Sequence, residues 1–151
     1  AIVRAVNHLK KRNKRNQVSL IVSGGMQIPG HFLKMLALGA DAIYIGSAML
    51  FAVSHSQSLN AIPFEPPTQV AWNQGKFKDQ FNIEEGAKTA ENFLTSSVEE
   101  MKMALRGMGK RSLNELSKKD LVSYDAHIAK MVEIPYSFKA WKEEQQQTEK
   151  G

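Results

Sequence analysis

The chain contains no cysteine. Disulfides, thiolate nucleophiles and thiolate-held metals or clusters are therefore outside its own chemistry. It also has no apolar run approaching the ~20 residues of a membrane-spanning helix. Its opening, AIVRAVNHLKKRNKR, is basic and amphipathic and lacks the apolar centre of a signal peptide. These absences give the expectation of no membrane span in this segment and a cytoplasmic location. Aromatic residues make up only 8% of the 151 positions, so a core has to be built mainly from aliphatic side chains. Apolar residues at 42% and charged residues at 23% are enough for one folded domain with a real core.

The net charge is +5, and much of it sits in Lys10, Lys11, Arg12, Lys14 and Arg15. That run has no interleaved aromatics and no nucleic-acid-binding motif, so no nucleic-acid partner is expected. It reads as the solvated end of a helix, with cations complementing the helix dipole. Ile2, Val6 and Leu9 recur at helical spacing before it.

The informative stretch is VSLIVSGGMQIPGHFLKMLALGADAIYIGSAMLFA, beginning at Val18. Val18–Val22 and Ala42–Ile45 are apolar runs without polar alternation, the pattern of parallel strands buried on both faces. Between them, Pro29 suits a first helical turn. Phe32, Leu33, Leu36 and Ala37 line one helical face, and Gly39 suits the turn that ends it. Ser47 to Ser56 read as a further helix. The order is strand, loop, helix, strand, loop, helix, at the spacing of a right-handed βαβ crossover.

Each strand therefore ends in small residues: Ser23, Gly24 and Gly25 after the first, Gly46 and Ser47 after the second. In α/β proteins the carboxyl ends of strands carry the ligand site. Small residues let backbone amides approach an anion, and the following helix adds its positive end. Plain βα turns would also use glycine; two such loops on neighbouring strands favour an anion site.

Beyond residue 57 the chain reads as support. Residues 58–82 hold three prolines, with Phe64, Trp72, Phe77 and Phe81 spaced among polar residues, and suggest an extended loop pinned by its aromatics. Asn82 with Glu85 makes a capping-box start. Ile83, Ala87, Ala90, Leu94, Val98, Met101, Leu105 and Met108 then form one stripe of a long helix ended by Gly109. Ser112–Glu115 starts a short helix by the same capping logic, within a helical region 83–135, and 136–151 reads as a tail. His8, His31, His55 and His127 are scattered, with His55 read as a helix-end or surface histidine. No metal-ligand spacing, acid–base pair or nucleophile triad is visible, so no catalytic or metal residue is assigned.

The stretch LIVSGGMQIPGHFLKMLALGADAIYIGSAMLFA resembles the end of the FMN-binding domain of glutamate synthases. PFEPPTQVAW and EEGAKTAENFLTSSVEEMKMALRGMGKRSLNELSKKDLV are similar to later segments of the same family. IMP dehydrogenases and α-hydroxyacid oxidases share such phosphate loops; the segments after residue 60 favour glutamate synthase. The resemblance implies an α/β fold, the C-terminal portion of a (β/α)8 TIM barrel. Residues 1–57 would hold its last two strand–helix units, followed by C-terminal helices. It implies that Ser23, Gly24, Gly25, Gly46 and Ser47 bind the FMN phosphate in the complete protein. The implied activity makes glutamate from 2-oxoglutarate and ammonia equivalents, with reduced flavin supplying hydride to a 2-iminoglutarate intermediate.

Large glutamate synthases carry cysteines after the eighth strand that hold an iron–sulfur cluster. FAVSHSQSLNAIPFEPP occupies that region here, so no iron–sulfur cluster is expected. A complete barrel takes ~250 residues. The expected partner is thus a missing N-terminal barrel segment, or a second copy through self-association, besides a small-molecule substrate. Two other functions stand beside this one: a non-catalytic phosphate-binding or interaction module, and a fragment of an IMP dehydrogenase-like barrel.

Overall fold

Arg15 and Asp41 organise the start of the sheet. In a computed structural model, which describes residues 1–61 and 68–138, the Arg15 guanidinium donates to Asp41 Oδ1 and to the Gly39 carbonyl at 2.9 Å each. It also donates to the Val18 carbonyl at 3.1 Å. Asp41 Oδ2 accepts the Leu20 amide at 2.7 Å, and the Asp41 amide donates to the Leu20 carbonyl at 2.9 Å. The strands β1 (Ile21–Ser23) and β2 (Ala42–Tyr44) then pair as a two-stranded parallel sheet.

Both strands are shorter than the apolar runs that contain them. Val18 to Leu20 stay outside the ladder because the Leu20 amide is taken by the Asp41 carboxylate. The expected burial on both faces is corrected as well: Ile21 is 49% exposed and Tyr44 63%. A strand face is buried only where another element lies on it, and among the described residues the sheet has no third strand.

The helices follow local signals more closely. Helix α1 spans Ile2–Lys11 and buries Val3 and Val6. Helix α2, Pro29–Ala37, starts on its proline, and α3, Ser47–Ala61, starts directly after Gly46. Thr68–Ala71 forms a single turn, α4, and Ile83–Gly107 a 25-residue helix, α5. The α5 end is closed by Gly109 (φ 68°), with the Lys110 amide donating to the Leu105 carbonyl at 2.8 Å. Helix α6, Ala126–Val132, is capped by Asp125. The chain divides into two compact units. Among the described residues, one comprises 1–22, 32–43 and 105–138, the other 23–31, 44–61 and 68–104.

In the first unit, Gly39 (φ 103°) lies against Val6, where a Cβ would come within 3.0 Å of a Val6 methyl. Lys110 pairs with Asp120 at 3.1 Å and Lys118 with Glu133 at 2.7 Å. The SLNE segment forms only a 3-10 turn, because Ser112 accepts from the Asn114 amide and Glu115 from the Arg111 amide. A complete capping box occurs five residues later, between Ser117 and Asp120.

In the second unit, α5 packs close to α3 through Gly86, where a Cβ would lie 3.2 Å from the Val53 carbonyl and 2.7 Å from the Phe81 ring. Buried Gln57 on α3 accepts the Asn82 amide at 2.6 Å and donates to the Asn82 carbonyl at 3.0 Å. The Asn82 side chain in turn caps the Glu85 amide, while the Glu85 carboxylate bonds Ser56 instead of closing a capping box. The α5 stripe expected to be covered is partly open: Ile83, Leu94 and Val98 are exposed, and Gly86, Phe93 and Ser97 on the adjacent face are covered or half-covered. Phe64 and residues 139–151 of the expected tail 136–151 lie outside the described residues, while Tyr136 at its start pairs with Ser123 in a parallel bridge. Trp72 is exposed, whereas Phe77 and Phe81 are half-buried and Val70 within α4 is buried at 2% exposure.

Candidate functional site

Ser23 closes β1, and Gly24 and Gly25 follow it with φ of 121° and 66°. Side chains rarely adopt that conformation, so the turn itself requires glycine at both positions. Gly46 has no such φ, and a Cβ there would meet nothing within 4 Å. Its small size is therefore unexplained by packing, and it leaves open space above the backbone. Ser47 begins α3, whose first-turn amides and dipole favour an anion.

The two loops leave adjacent parallel strands, whose spacing is about 5 Å. All five positions belong to the same compact unit, and all are exposed. Met26 and Pro29 are buried and anchor the first loop. The His31 amide donates to the Ile28 carbonyl at 2.9 Å, which closes the loop onto α2. Neither residues 23–31 nor residues 44–61 contain a carboxylate, lysine or arginine. An anion here would meet backbone dipoles with no repelling charge and no cationic side chain.

A feature the sequence did not disclose lies next to these loops. Gln27, Ala48, Phe51, Ala52, His55 and Phe93 line an open, mainly apolar cavity of about 450 Å³. His55, read from sequence as a helix-end or surface residue, is exposed and contributes to that cavity with Gln27 as its polar partner in the lining. The signal was present in retrospect: Ala48, Phe51, Ala52 and His55 share one α3 face at i, i+3, i+4 spacing. Among the described residues, no three His, Cys, Asp or Glu side chains come together as a metal site. No helix among them is long and apolar enough to cross a membrane.

The conserved region in glutamate synthase matches residues 1–111. The chain belongs to the glutamate synthase family. It is 32% identical over 116 residues to an archaeal-type glutamate synthase [NADPH] of Thermotoga neapolitana, covering 77% of this chain and 23% of that protein. It is 28% identical over 154 residues to a glutamate synthase large subunit-like protein of Rhizobium meliloti, covering 91% of this chain and 35% of that protein. An archaeal glutamate synthase [NADPH] of Methanocaldococcus jannaschii is 28% identical over 116 residues, which is 77% of this chain and 23% of the relative. The chain thus spans about a quarter to a third of the length of these curated glutamate synthase relatives. No solved structure matches it.

Proposed function

We propose that the chain is the phosphate-gripping portion of an FMN-dependent glutamate synthase-like oxidoreductase, the last two strand–helix units of a (β/α)8 barrel. The observation that carries this is the pair of exposed small-residue loops after adjacent parallel strands, within a region matched by the glutamate synthase family. Backbone amides at Ser23, Gly24, Gly25, Gly46 and Ser47 would hold the phosphate, and the residues fit it. The glycine turn is exposed and free of side chains, Gly46 leaves room, and no carboxylate in the flanking segments opposes a dianion. When bound, FMN supplies hydride transfer. The contribution of this chain is to fix one end of the cofactor and to exclude competing charge. The remaining strands would supply ring and substrate contacts, and the overall reaction would form glutamate from 2-oxoglutarate and ammonia equivalents.

The same reading accounts for the open strand faces and the open side of α5. Ile21, Tyr44, Leu94 and Val98 would be covered by the rest of the barrel, or by a second copy of the chain when it is isolated. A titration of the 15N-labelled chain with FMN tests the grip. Saturable amide shifts are expected at Gly24, Gly25, Gly46 and Ser47. Gly46→Val should weaken them by filling the open space, while the visible flavin band is lost on dialysis because only one end is held. Shifts absent from these amides, or undiminished in Gly46→Val, would remove the site.

A further inference from the structure

The basic run Lys10–Arg15 does more than end α1. Asn13, at φ 54°, and the 3-10 turn Arg15–Gln17 turn the chain back on itself. This brings Lys10, Arg15 and Asn16 into the lining of a cavity of about 530 Å³, together with Lys118 and Lys119. Val6 and Leu36 give the cavity an apolar part. The lining carries four cations and one carboxylate, Asp41. Lys118 also pairs with Glu133, outside the lining, and Lys10 lies within the electrostatic reach of the same carboxylate. Counting Glu133, the cluster keeps two positive charges in excess.

We propose that this cavity binds a phosphate monoester. Arg15 cannot offer a fork to a carboxylate ligand, because its guanidinium is committed to Asp41 and to the Gly39 and Val18 carbonyls. What remains are lysines, point charges that approach a tetrahedral phosphate from separate directions. A monoester carries close to two negative charges at neutral pH, matching the excess. The apolar lining from Val6 and Leu36 accommodates the organic part of the ester. This site involves none of the glycine loops, and it stands or falls independently of them.

The test is an amide titration of the 15N-labelled chain with glycerol 2-phosphate, with sodium chloride at matched ionic strength and succinate as parallel titrants. Saturable shifts are expected for residues 10–17 and 117–119 with the monoester alone. Lys10→Gln with Lys119→Gln should weaken that binding about tenfold, given the worth of two exposed charge contacts. Any shifts at Gly24 and Gly25 should be unchanged in this variant, and its otherwise native spectrum confirms folding. The proposal is overturned by no saturable response at residues 10–17 and 117–119, by equal shifts with chloride, or by undiminished binding in the double variant. Succinate binding as tightly as the monoester would overturn the assignment to a phosphoryl group.

Discussion

The two units of the chain are held together by different chemistry. In the unit containing α1, ion pairs join residues far apart in sequence: Arg15 with Asp41, Lys110 with Asp120, Lys118 with Glu133. In the unit containing α3, Lys88–Glu91 and Lys102–Glu99 are local i, i+3 contacts along α5. Its distant connections are hydrogen bonds and not ion pairs: the double bond between Gln57 and the Asn82 backbone, and the Ser56 hydroxyl donating to the Glu85 carboxylate. The first unit should therefore respond to pH and salt, and the second to the loss of a single buried amide.

The largest effect is expected from Gln57→Leu. Leucine is close in volume but takes away the acceptor of the Asn82 amide, while the Asn82 carbonyl keeps its bond from the Gly86 amide at 3.0 Å. One donor left without its partner in a part-buried contact costs about 1–3 kcal/mol. Hydrogen exchange should accelerate first at the start of α5, from Asn82 to Gly86, with residues 1–22 unaffected. Equal acceleration in both units would erase the distinction, because it would make the Gln57 contact a determinant of the whole chain.

Acid should act in the opposite sense. Asp41 is held below the usual carboxylate range by its hydrogen bond from Arg15, then by the Leu20 amide. Asp120 is lowered chiefly by the Ser117 amide, Asp125 by the Ile128 and His127 amides, and Glu133 by Lys118 and then Asn7. All four lie in the first unit. A carboxylate with a depressed folded-state pKa contributes stability that is complete above its unfolded value and disappears as pH falls through the folded value. The ordinary values here are 3.8 for the aspartates and 4.5 for Glu133, so the loss begins below about pH 4.5 and continues beneath 3.8. Amide protection measured down that range should fall at Leu20, Ser117 and Ile128 before it falls at Asn82. Asp41→Asn should flatten the response at Leu20. Simultaneous loss at all four amides would contradict the assignment.

How much of this was readable in the sequence depends on where each signal resides. Pro29 placed the start of α2, Gly109 the end of α5, and the Gly24-Gly25 turn was flagged by residues whose backbone preference is intrinsic. These are local effects, and the residue carries them wherever it is put. The strand burial is not met within this chain, because apolar composition marks Ile21 and Tyr44 for burial, whereas burial itself depends on what lies over them. The α5 stripe was misplaced for the same reason: Gly86 permits close approach on a face that hydrophobicity alone does not mark. Gln57 gave no sign at all, since a glutamine on a helix is ordinarily solvated. Arg15 looked like one more cation in a basic run until its backbone turn was known. At the site, the residue types of the two loops were legible, and the cavity lined by Phe51, His55 and Phe93 was not. Its lining comes from a loop and two helices separated in sequence.

The smallest expected effect is a control on the comparison itself. Lys102 and Glu99 are 51% and 55% exposed, and their contact at 2.7 Å is one helical turn long. In water such a pair gains little, because solvent screens the attraction and ordering two long side chains costs entropy; measured values are about 0.3–0.5 kcal/mol. Lys102→Gln should thus move the melting temperature by no more than about 2 °C. Lys118 pairs with Glu133 at the same distance, but its side chain is only 27% exposed and the two residues are fifteen apart in sequence. Its removal gives up a tertiary connection, not a contact along one helix. Lys118→Gln should therefore destabilise more than Lys102→Gln, and raising the salt concentration should narrow the gap by screening the surviving attraction in the parent chain. If the two variants melt together at low salt, distance in sequence gives ion pairs no advantage here. The contrast between the units would then rest on Gln57 alone.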